Sequence, residues 1–169
     1  MTGAGFEAAT GDGPAPAEGT PAEGTPADEA SAQRRAAEVR VAFEGMLQIR
    51  RLTGPRGGDP GAVPAAWELN QPVRAVALAL EAAGITPSAV DAEGRRVRTG
   101  YRVTAGERPG TARVEWLGPP GGKAVREEEA ALSACARALD PLGWEALLYR
   151  GPRKRRFLEV EPPHGHGPA

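Results

Sequence analysis

The sequence predicts an α+β domain whose antiparallel sheet of four or more strands is built from two helix-hairpin units, with the helices on one face. Two observations predict this fold. An amphipathic helix followed by Gly and a large apolar residue occurs twice, ending at Gly84-Ile85 and at Gly143-Trp144. Each helix precedes two alternating apolar runs joined by an arginine-containing turn, which is the pattern of a β-hairpin. Repeated helix-strand-strand units bury their helices against a shared sheet.

The first helix and hairpin are predicted from residues with specific positional preferences. Asn70 suits the cap of a helix, Pro72 suits its first turn, and Gly84 suits a left-handed residue at its end. The apolar stripe of this helix comprises Val73, Val76, Ala77 and Leu80. Apolar residues then alternate over 97–103 and 112–116, on either side of a turn, which predicts the hairpin.

The second helix follows a Gly-Pro loop and has three consecutive acids, Glu127 to Glu129, in its first turns. Because they are consecutive, these acids point around a helix, and they favour its positive N-terminal end. The apolar stripe comprises Val125, Leu132, Cys135 and Leu139. Pro141 and Gly143 are expected to end the helix, and the final hairpin is predicted from Trp144 to about Glu161.

Residues 31–52 fit two structures. Ala36, Val39 and Phe43 have helical spacing, with Met46 and Ile49 continuing the stripe. Val39, Val41 and Phe43 also alternate, with a turn at Glu44-Gly45, as in a hairpin. We favour a helix to about Glu38 followed by strands, and the choice for 39–52 stays open.

The first thirty residues differ from the rest in composition. Residues 1–30 contain no Lys or Arg, six acids and a five-residue Pro-Ala-Glu-Gly-Thr repeat, so they offer little apolar surface for a core. They are expected to form a disordered acidic tail, followed by a single domain over 31–163 and a free C-terminus over 164–169. Subtracting six acids from the chain total leaves 21 basic and 16 acidic residues over 31–169, so the predicted body is basic.

Composition also limits the location of the protein. The sequence has no stretch approaching the ~20 apolar residues that span a membrane, and no basic N-terminal region followed by an apolar run. We expect a cytoplasmic protein with no membrane partner. Nineteen of the 21 basic residues are Arg, which is typical of GC-rich coding in a bacterium. Cys135 is the one cysteine, and its apolar neighbours favour a small buried residue over a reactive thiol.

Catalytic and metal-binding motifs are weak. His164 and His166 are the only histidines, and both follow the last predicted strand, where they cannot hold a base against a fixed partner. Residues 118–122 precede a helix and Lys123, but the spacing of a phosphate-binding loop is absent and two prolines remove amide donors. No catalytic residue, cofactor or metal is predicted.

Two clusters of positive charge are the candidate binding sites. One lies at the turn of the final hairpin, and the other lies at the start of the first hairpin. If the two units are related by a pseudo-twofold axis, these clusters lie at related positions and together contact several phosphates or an acidic partner. The nine candidate residues are Arg95, Arg96, Arg98, Arg102, Arg150, Arg153, Lys154, Arg155 and Arg156.

Residues 75–96 resemble a helix-turn-helix segment. Gly84 occupies the turn, and residues 88–96 would form the recognition helix. The sequence departs from the pattern at Leu80, where the motif prefers a small residue, at Glu93, where a buried apolar residue is expected, and at Gly94, which would shorten the recognition helix. The resemblance implies binding in the major groove of DNA.

The function we expect is a non-enzymatic binding or adaptor module. An antiparallel sheet with helices on one face leaves its other face open. Most of the aromatics on or beside the strands are expected in the core, and any that face outward would anchor a partner there: Trp67, Trp116, Trp144, Tyr101 and Tyr149. The expected partner is another protein or a second copy of the chain. Nucleic acid bound through the two arginine clusters is the alternative, and an enzyme without a recognisable motif is the third.

Overall fold

The structure, a computed structural model, describes residues 5–15 and 26–164. This part of the chain is α+β and contains four α-helices and six β-strands. The helices are α1 (Pro26–Thr53), α2 (Ala66–Asn70), α3 (Pro72–Ala82) and α4 (Ala124–Leu139). The strands are β1 (Ala89–Val90), β2 (Arg96–Arg98), β3 (Gly100–Ala105), β4 (Ala112–Leu117), β5 (Glu145–Arg150) and β6 (Arg156–Glu161).

The main sheet has four antiparallel strands in the order β3-β4-β6-β5, and β1 and β2 form a separate two-stranded sheet. The α+β class and the four-stranded antiparallel sheet are therefore confirmed. The two predicted hairpins are adjacent because β4 pairs with β6, which places β3 and β5 at opposite edges. The placement of both helices on one face and the derivation from a repeated unit stay predictions.

The core joins the sheet to α3 and α4. Val103, Val114 and Leu158 lie in one row across three strands, and all three are buried. Leu80 of α3 and Leu132 of α4 have no exposed surface and belong to the same cluster. Burying a side chain of this size contributes about 1.5–3 kcal/mol, so this cluster supplies the main apolar stabilisation.

The two helix-ending glycines have the left-handed backbone that the sequence predicts. Gly84 has φ +80° and Gly143 has φ +84°. Asn70, however, ends α2, and Gln71 occupies the cap position of α3 without a side-chain hydrogen bond. The cap prediction was therefore wrong by one residue.

Residues 39–52 are helical, so the strands that we favoured there were wrong. α1 runs unbroken over 28 residues, and Val39, Met46 and Arg50 are its buried residues. Their spacings of seven and four place them on one face of a helix. Val41, which the alternating pattern paired with Val39, is 70% exposed.

The segment after α3 is not a helix-turn-helix. Ala89 and Val90 form β1, Arg96 to Arg98 form β2, and Gly94 has φ +80° in the turn between them. The predicted recognition helix is therefore absent, and the first hairpin of the main sheet starts at Gly100 instead of Val97. The polar stretch at 91–95 favours a turn because Asp91 accepts hydrogen bonds from the backbone N–H groups of Glu93 and Arg95.

Residues 5–15 lie against the domain, an arrangement that composition alone did not indicate. The backbone N–H of Val103 donates to the carbonyl of Thr10 at 2.7 Å, and that of Val90 donates to the carbonyl of Gly13 at 3.0 Å. The Ala9 N–H donates to Glu81 in α3 at 3.1 Å. Polar contacts thus hold this segment although it has few apolar side chains. Residues 26–30 of the predicted tail belong to α1. Residues 1–4 and 16–25 of that tail, and 165–169 of the predicted free C-terminus, lie outside the described residues.

One ion pair is fully buried where α1, α2 and two short 3-10 turns meet. The Arg50 guanidinium donates to both carboxylate oxygens of Glu68, at 2.8 Å and 2.6 Å. It also donates to the carbonyls of Gly61 and Leu142, both at 2.7 Å. Neither side chain is exposed to solvent. Because Arg50 binds four acceptor atoms from three other segments, it fixes α1 to the rest of the domain.

In the part of the chain that the structure describes, no helix combines the length and the apolar composition that crossing a membrane requires.

Candidate functional site

The outer edge of β3 is covered by two other segments of the chain. Tyr101 donates its backbone N–H to the carbonyl of Thr86 at 3.0 Å and accepts from the N–H of Ser88 at 2.9 Å. The N–H of Val103 is bound by Thr10, as described above. An edge strand with free backbone groups can pair with another chain, and this edge is protected from such pairing.

The opposite edge, formed by β5, is uncovered. Its only strand neighbour within residues 5–15 and 26–164 is β6. Leu147, Leu148 and Tyr149 are consecutive on β5 and are 42%, 47% and 46% exposed. We call residues 145–150, with their free backbone groups, the β5 edge. An exposed edge with three adjacent apolar side chains is an unprotected pairing surface.

The hairpin turn shows which backbone groups of the β5 edge are free. The Gly151 N–H donates to the Arg155 carbonyl at 2.7 Å, so this pair is hydrogen-bonded. Bonded and non-bonded pairs alternate along an antiparallel ladder. The backbone groups that point towards β6 therefore belong to Glu145, Leu147 and Tyr149. The N–H and C=O groups of Ala146, Leu148 and Arg150 point outward.

One row of residues crosses the sheet from the covered edge to the uncovered one. Arg102, Glu115, Phe157 and Tyr149 are successive Cα partners on β3, β4, β6 and β5. Tyr149 and Phe157 stack with ring centroids 5.8 Å apart, and the Arg113 guanidinium lies 3.9 Å from the Phe157 centroid. The apolar part of this face therefore adjoins the β5 edge.

The turn between β5 and β6 displays cations on an unusual backbone. Arg153 and Lys154 both have φ +60°, in the left-handed region that non-glycine residues rarely adopt. Both side chains are exposed, and neither makes an ion pair or a hydrogen bond with any described residue. We call residues 151–155 the basic tip. This conformation directs two unpaired cations into solvent beside the β5 edge.

Helix α4 holds the base of this tip. Glu128 is 2% exposed, and its carboxylate accepts from the Arg155 guanidinium at 2.7 Å and from the Arg156 N–H at 2.6 Å. Arg155 also donates to the Trp116 carbonyl at 2.8 Å, and Arg156 lies 3.6 Å from Glu129. Two of the acids that we assigned to the helix N-terminus therefore anchor the tip.

We expect Glu128→Gln to destabilise the tip. The substitution removes the charge from a buried, doubly hydrogen-bonded carboxylate, and the loss should be about 1–3 kcal/mol. Amide exchange over 150–156 should accelerate more than exchange in α3. Glu127→Gln is the matched control, because Glu127 lies in the same turn and is exposed. Equal protection of 150–156 in both variants would contradict the anchoring role of Glu128.

The other arginine cluster is bound by the N-terminal segment. The Asp12 carboxylate accepts from Arg96 at 2.8 Å and from Arg102 at 2.9 Å. Arg96 also donates to the Gly11 carbonyl at 2.6 Å, and Arg95 lies 3.3 Å from Asp91. Burial of Asp12 opposes its ionisation, but hydrogen bonds from both arginines outweigh this effect, and its pKa is lowered.

Attachment of residues 5–15 should consequently depend on pH. A carboxyl whose pKa is lower in the folded state stabilises above its unfolded value, and this contribution is lost as pH falls through the folded pKa. We therefore expect the Asp12 contacts to weaken below about pH 3.9, the ordinary value for Asp. An NMR titration of the Val103 amide, which bonds to Thr10, measures the release. Asp12→Asn should show the released spectrum at neutral pH, and unchanged Val103 shifts in that variant would contradict the expectation.

The structure places the two clusters of candidate cations at opposite sides of the main sheet. Arg102 on β3 and Arg150 on β5 occupy opposite edges, separated by three inter-strand spacings or roughly 14 Å. Five of the nine are engaged in internal ion pairs: Arg95, Arg96, Arg102, Arg155 and Arg156. The four without a side-chain partner among the described residues are Arg98, Arg150, Arg153 and Lys154. Three of these four lie at or beside the basic tip.

One groove of the structure lies away from the basic tip. It has a volume of about 780 Å³ and lies between residues 7–14, the start of α3 and residues 87–89. Arg74 and Arg98 lie on its walls, and its lining contains no His or Cys. Ser88 donates its hydroxyl to the Arg98 carbonyl at 2.8 Å, so this hydroxyl is bound within the fold. The groove shows no nucleophile paired with a base.

His164 lies closer to the sheet than its place after the last strand indicated. Its Nδ1 is 2.8 Å from Glu145 and its Nε2 is 3.8 Å from Glu161. Hydrogen bonding by His164 lowers the pKa of Glu145. The three residues offer ligand atoms within 4.8 Å of one another, but Glu161 is already bound by Arg108 at 2.7 Å, and His164 is 73% exposed. We interpret this cluster as a surface ion network.

Other reactive or aromatic candidates are internal. Burial raises the pKa of the Cys135 thiol to about 12, so this cysteine stays protonated at neutral pH. Tyr101, Trp116 and Trp144 are buried in the core. Of the other two aromatics that we considered as partner anchors, Trp67 is half-buried and Tyr149 is exposed.

The described residues form a small α+β domain in which they cover one edge of the sheet and leave the other uncovered, and the uncovered edge ends at the basic tip. No family model, curated protein or solved structure was found to match the chain.

Proposed function

We propose that the chain is a non-enzymatic binding module that adds an extended segment of a protein to its β5 edge. The observation that carries this proposal is the contrast between the two edges of the sheet. Thr10, Thr86 and Ser88 cover the β3 edge, whereas no described segment covers β5, which has three exposed apolar residues.

The free backbone groups supply affinity in this mode of recognition. Ala146, Leu148 and Arg150 each present an outward N–H and C=O, so an added strand gains regular main-chain hydrogen bonds. Side chains at alternate positions of β5 supply specificity, with Leu147 and Tyr149 on the face that also carries Phe157. The apolar face of the partner would cover these residues.

The basic tip determines the charge of the partner. Arg150, Arg153 and Lys154 have no carboxylate partner among the described residues, and they lie at one end of the β5 edge. An acidic residue on the added strand would pair with them and fix its direction. The proposed partner is therefore an extended protein segment with alternating apolar residues and an acidic end.

Selection from a displayed library of random peptides tests this function. We expect enriched peptides to combine alternating apolar residues with Asp or Glu at one end. Leu148→Pro removes one outward N–H and keeps the hydrogen bonds to β6, so it should abolish binding. Leu148→Ala, the matched control, keeps the backbone group and should lose only part of the affinity. Absence of enrichment, or equal binding by both variants, would overturn the proposal.

Binding of nucleic acid is a distinct outcome of the same assay. Protein binding through β5 predicts that oligonucleotides bind weakly and do not compete with the selected peptides. If a short duplex or single strand binds instead, its affinity should fall steeply with salt, and Arg153→Ser with Lys154→Ser should reduce the slope of log K against log salt. That result would replace the protein partner with nucleic acid.

The expected location of the protein is the cytoplasm.

A further inference from the structure

We propose that the occupant of the β5 edge is a second copy of this chain, paired antiparallel to the first. This inference rests on the proposed function, because it assigns a partner to the same edge. It follows from three features of residues 145–154: the symmetry of the free backbone groups, the position of the apolar side chains and the opposite charge of the two ends.

Symmetry restricts how two copies can pair. A twofold axis perpendicular to the sheet makes the two β5 strands antiparallel and keeps equivalent faces on the same side. Residues that lie directly opposite each other in an antiparallel pair point to the same face of the sheet. Because side chains alternate between faces along each strand, two opposed residues must both have odd numbers or both have even numbers. Placing the axis at Leu148 opposes it to its own equivalent and opposes Ala146 to Arg150.

The register centred on Leu148 also pairs every outward group. Ala146, Leu148 and Arg150 are the residues with free N–H and C=O groups, and here each faces another residue of this set. Three such pairs give about six inter-chain hydrogen bonds, since each bonded pair of an antiparallel ladder exchanges two. Centring the axis at 147 or at 149 leaves one of the three without a partner.

Apolar side chains meet in this register. Leu148 lies against the equivalent Leu148, and Leu147 lies against Tyr149 of the second copy. These three residues are each more than two-fifths exposed in the single chain. Cross-strand pairs of aromatic and aliphatic residues stabilise a sheet. The result is a continuous eight-stranded sheet in which the Tyr149–Phe157 stacks flank the axis.

The charges at the two ends of β5 are complementary in the antiparallel direction. Glu145 begins the strand and has Glu161 as its neighbour, whereas the basic tip follows its other end. Antiparallel pairing brings Glu145 of each copy beside the tip of the other, within reach of the long side chains of Arg153 and Lys154. Parallel pairing would instead place both tips together, and like charges at that distance repel.

Sedimentation equilibrium of the full chain over a concentration series tests the inference. We expect a monomer-dimer equilibrium for the natural sequence and a monomer for Leu148→Pro. Glu145→Lys alone, or Arg153→Glu with Lys154→Glu, should raise the dimer dissociation constant about fivefold. Combining all three substitutions should restore the dissociation constant of the natural sequence, because the charges at the two ends of β5 are then both reversed and remain opposite. This rescue uses exposed side chains and does not depend on folding of the proline variant.

A monomer at every concentration would overturn the dimer, and so would a dimer that neither Leu148→Pro nor the charge reversals weaken. The two proposals fail separately. A monomeric chain that binds displayed peptides at β5 refutes the second copy and keeps the binding module. A monomer that binds no peptide refutes both.

Discussion

Glu68→Gln is expected to lower the free energy of unfolding by about 3–5 kcal/mol, the range for breaking a buried ion pair by removing one charge. The Arg50 guanidinium would remain without a counter-charge at a site where neither side chain is exposed. Glu68 also accepts the Ala65 N–H at 2.7 Å, and this bond would weaken. Loss of Arg50 contacts would loosen α1 from the 3-10 turns at Gly61 and Leu142.

Chemical denaturation monitored by circular dichroism measures this loss. The double variant Arg50→Met with Glu68→Leu should recover only part of the stability. It leaves no buried charge, but the carbonyls of Gly61 and Leu142 and the N–H of Ala65 lose their hydrogen bonds. Glu93→Gln is the surface control. Glu93 lies 3.8 Å from Arg95, both side chains are more than half exposed, and a change within about 0.5 kcal/mol is expected. A loss for Glu68→Gln no larger than for Glu93→Gln would contradict the structural role of the buried pair.

Gly143→Ala is expected to destabilise the fold by more than the cost of its backbone conformation. Gly143 has φ +84°, where a side chain costs about 1–2 kcal/mol. A Cβ at this position would also collide with the backbone carbonyl of Ala62, which belongs to the turn beside the Arg50 contact at Gly61. The backbone has to shift, so we expect a total loss of about 3–5 kcal/mol.

Gly121→Ala separates the cost of the left-handed backbone conformation from the cost of the collision with Ala62. Gly121 has φ +75°, and no atom lies within 4 Å of the point that its Cβ would occupy, so this substitution carries the conformational cost alone. Thermal unfolding of both variants gives the difference. If Gly143→Ala loses no more than Gly121→Ala, the close approach to Ala62 contributes nothing to stability.

Helices and strands with a clear local pattern of apolar residues were predicted correctly from the sequence. α3 and α4 each have one strong helical period, and a glycine with positive φ follows each of them: Gly84 after α3, and Gly143 after the 3-10 turn that extends α4. The hairpin of β5 and β6 has alternating apolar residues on both sides of its turn. α1 was misassigned because Val39 and Phe43 satisfy both the helical and the strand period, and only packing against α3 decides which face is buried. The false helix-turn-helix arose because the turn at Gly84 is common to many helix ends.

The residue types of the candidate site could be predicted from the sequence, but the hydrogen bonds and ion pairs that hold these residues could not. The sequence located the basic tip, yet it gave no indication that buried Glu128 binds its base or that Asp12 binds Arg96 and Arg102. These partners are 27, 84 and 90 residues apart, so only the folded chain brings them together. The bare edge of β5 depends on strand order, which is set by the pairing of β4 with β6 and has no local signature.

Arg153 and Lys154 keep charged side chains at two consecutive positions where glycine would relieve backbone strain. Non-glycine residues in the left-handed region each cost about 1–2 kcal/mol, so this turn is less stable than a glycine-containing turn of the same shape. Residues with strained backbone conformations cluster at functional sites of proteins. Substitution of Arg153 or Lys154 by glycine should therefore raise thermal stability and, at the same time, remove a charge from the basic tip, so at this turn backbone stability and surface charge oppose each other.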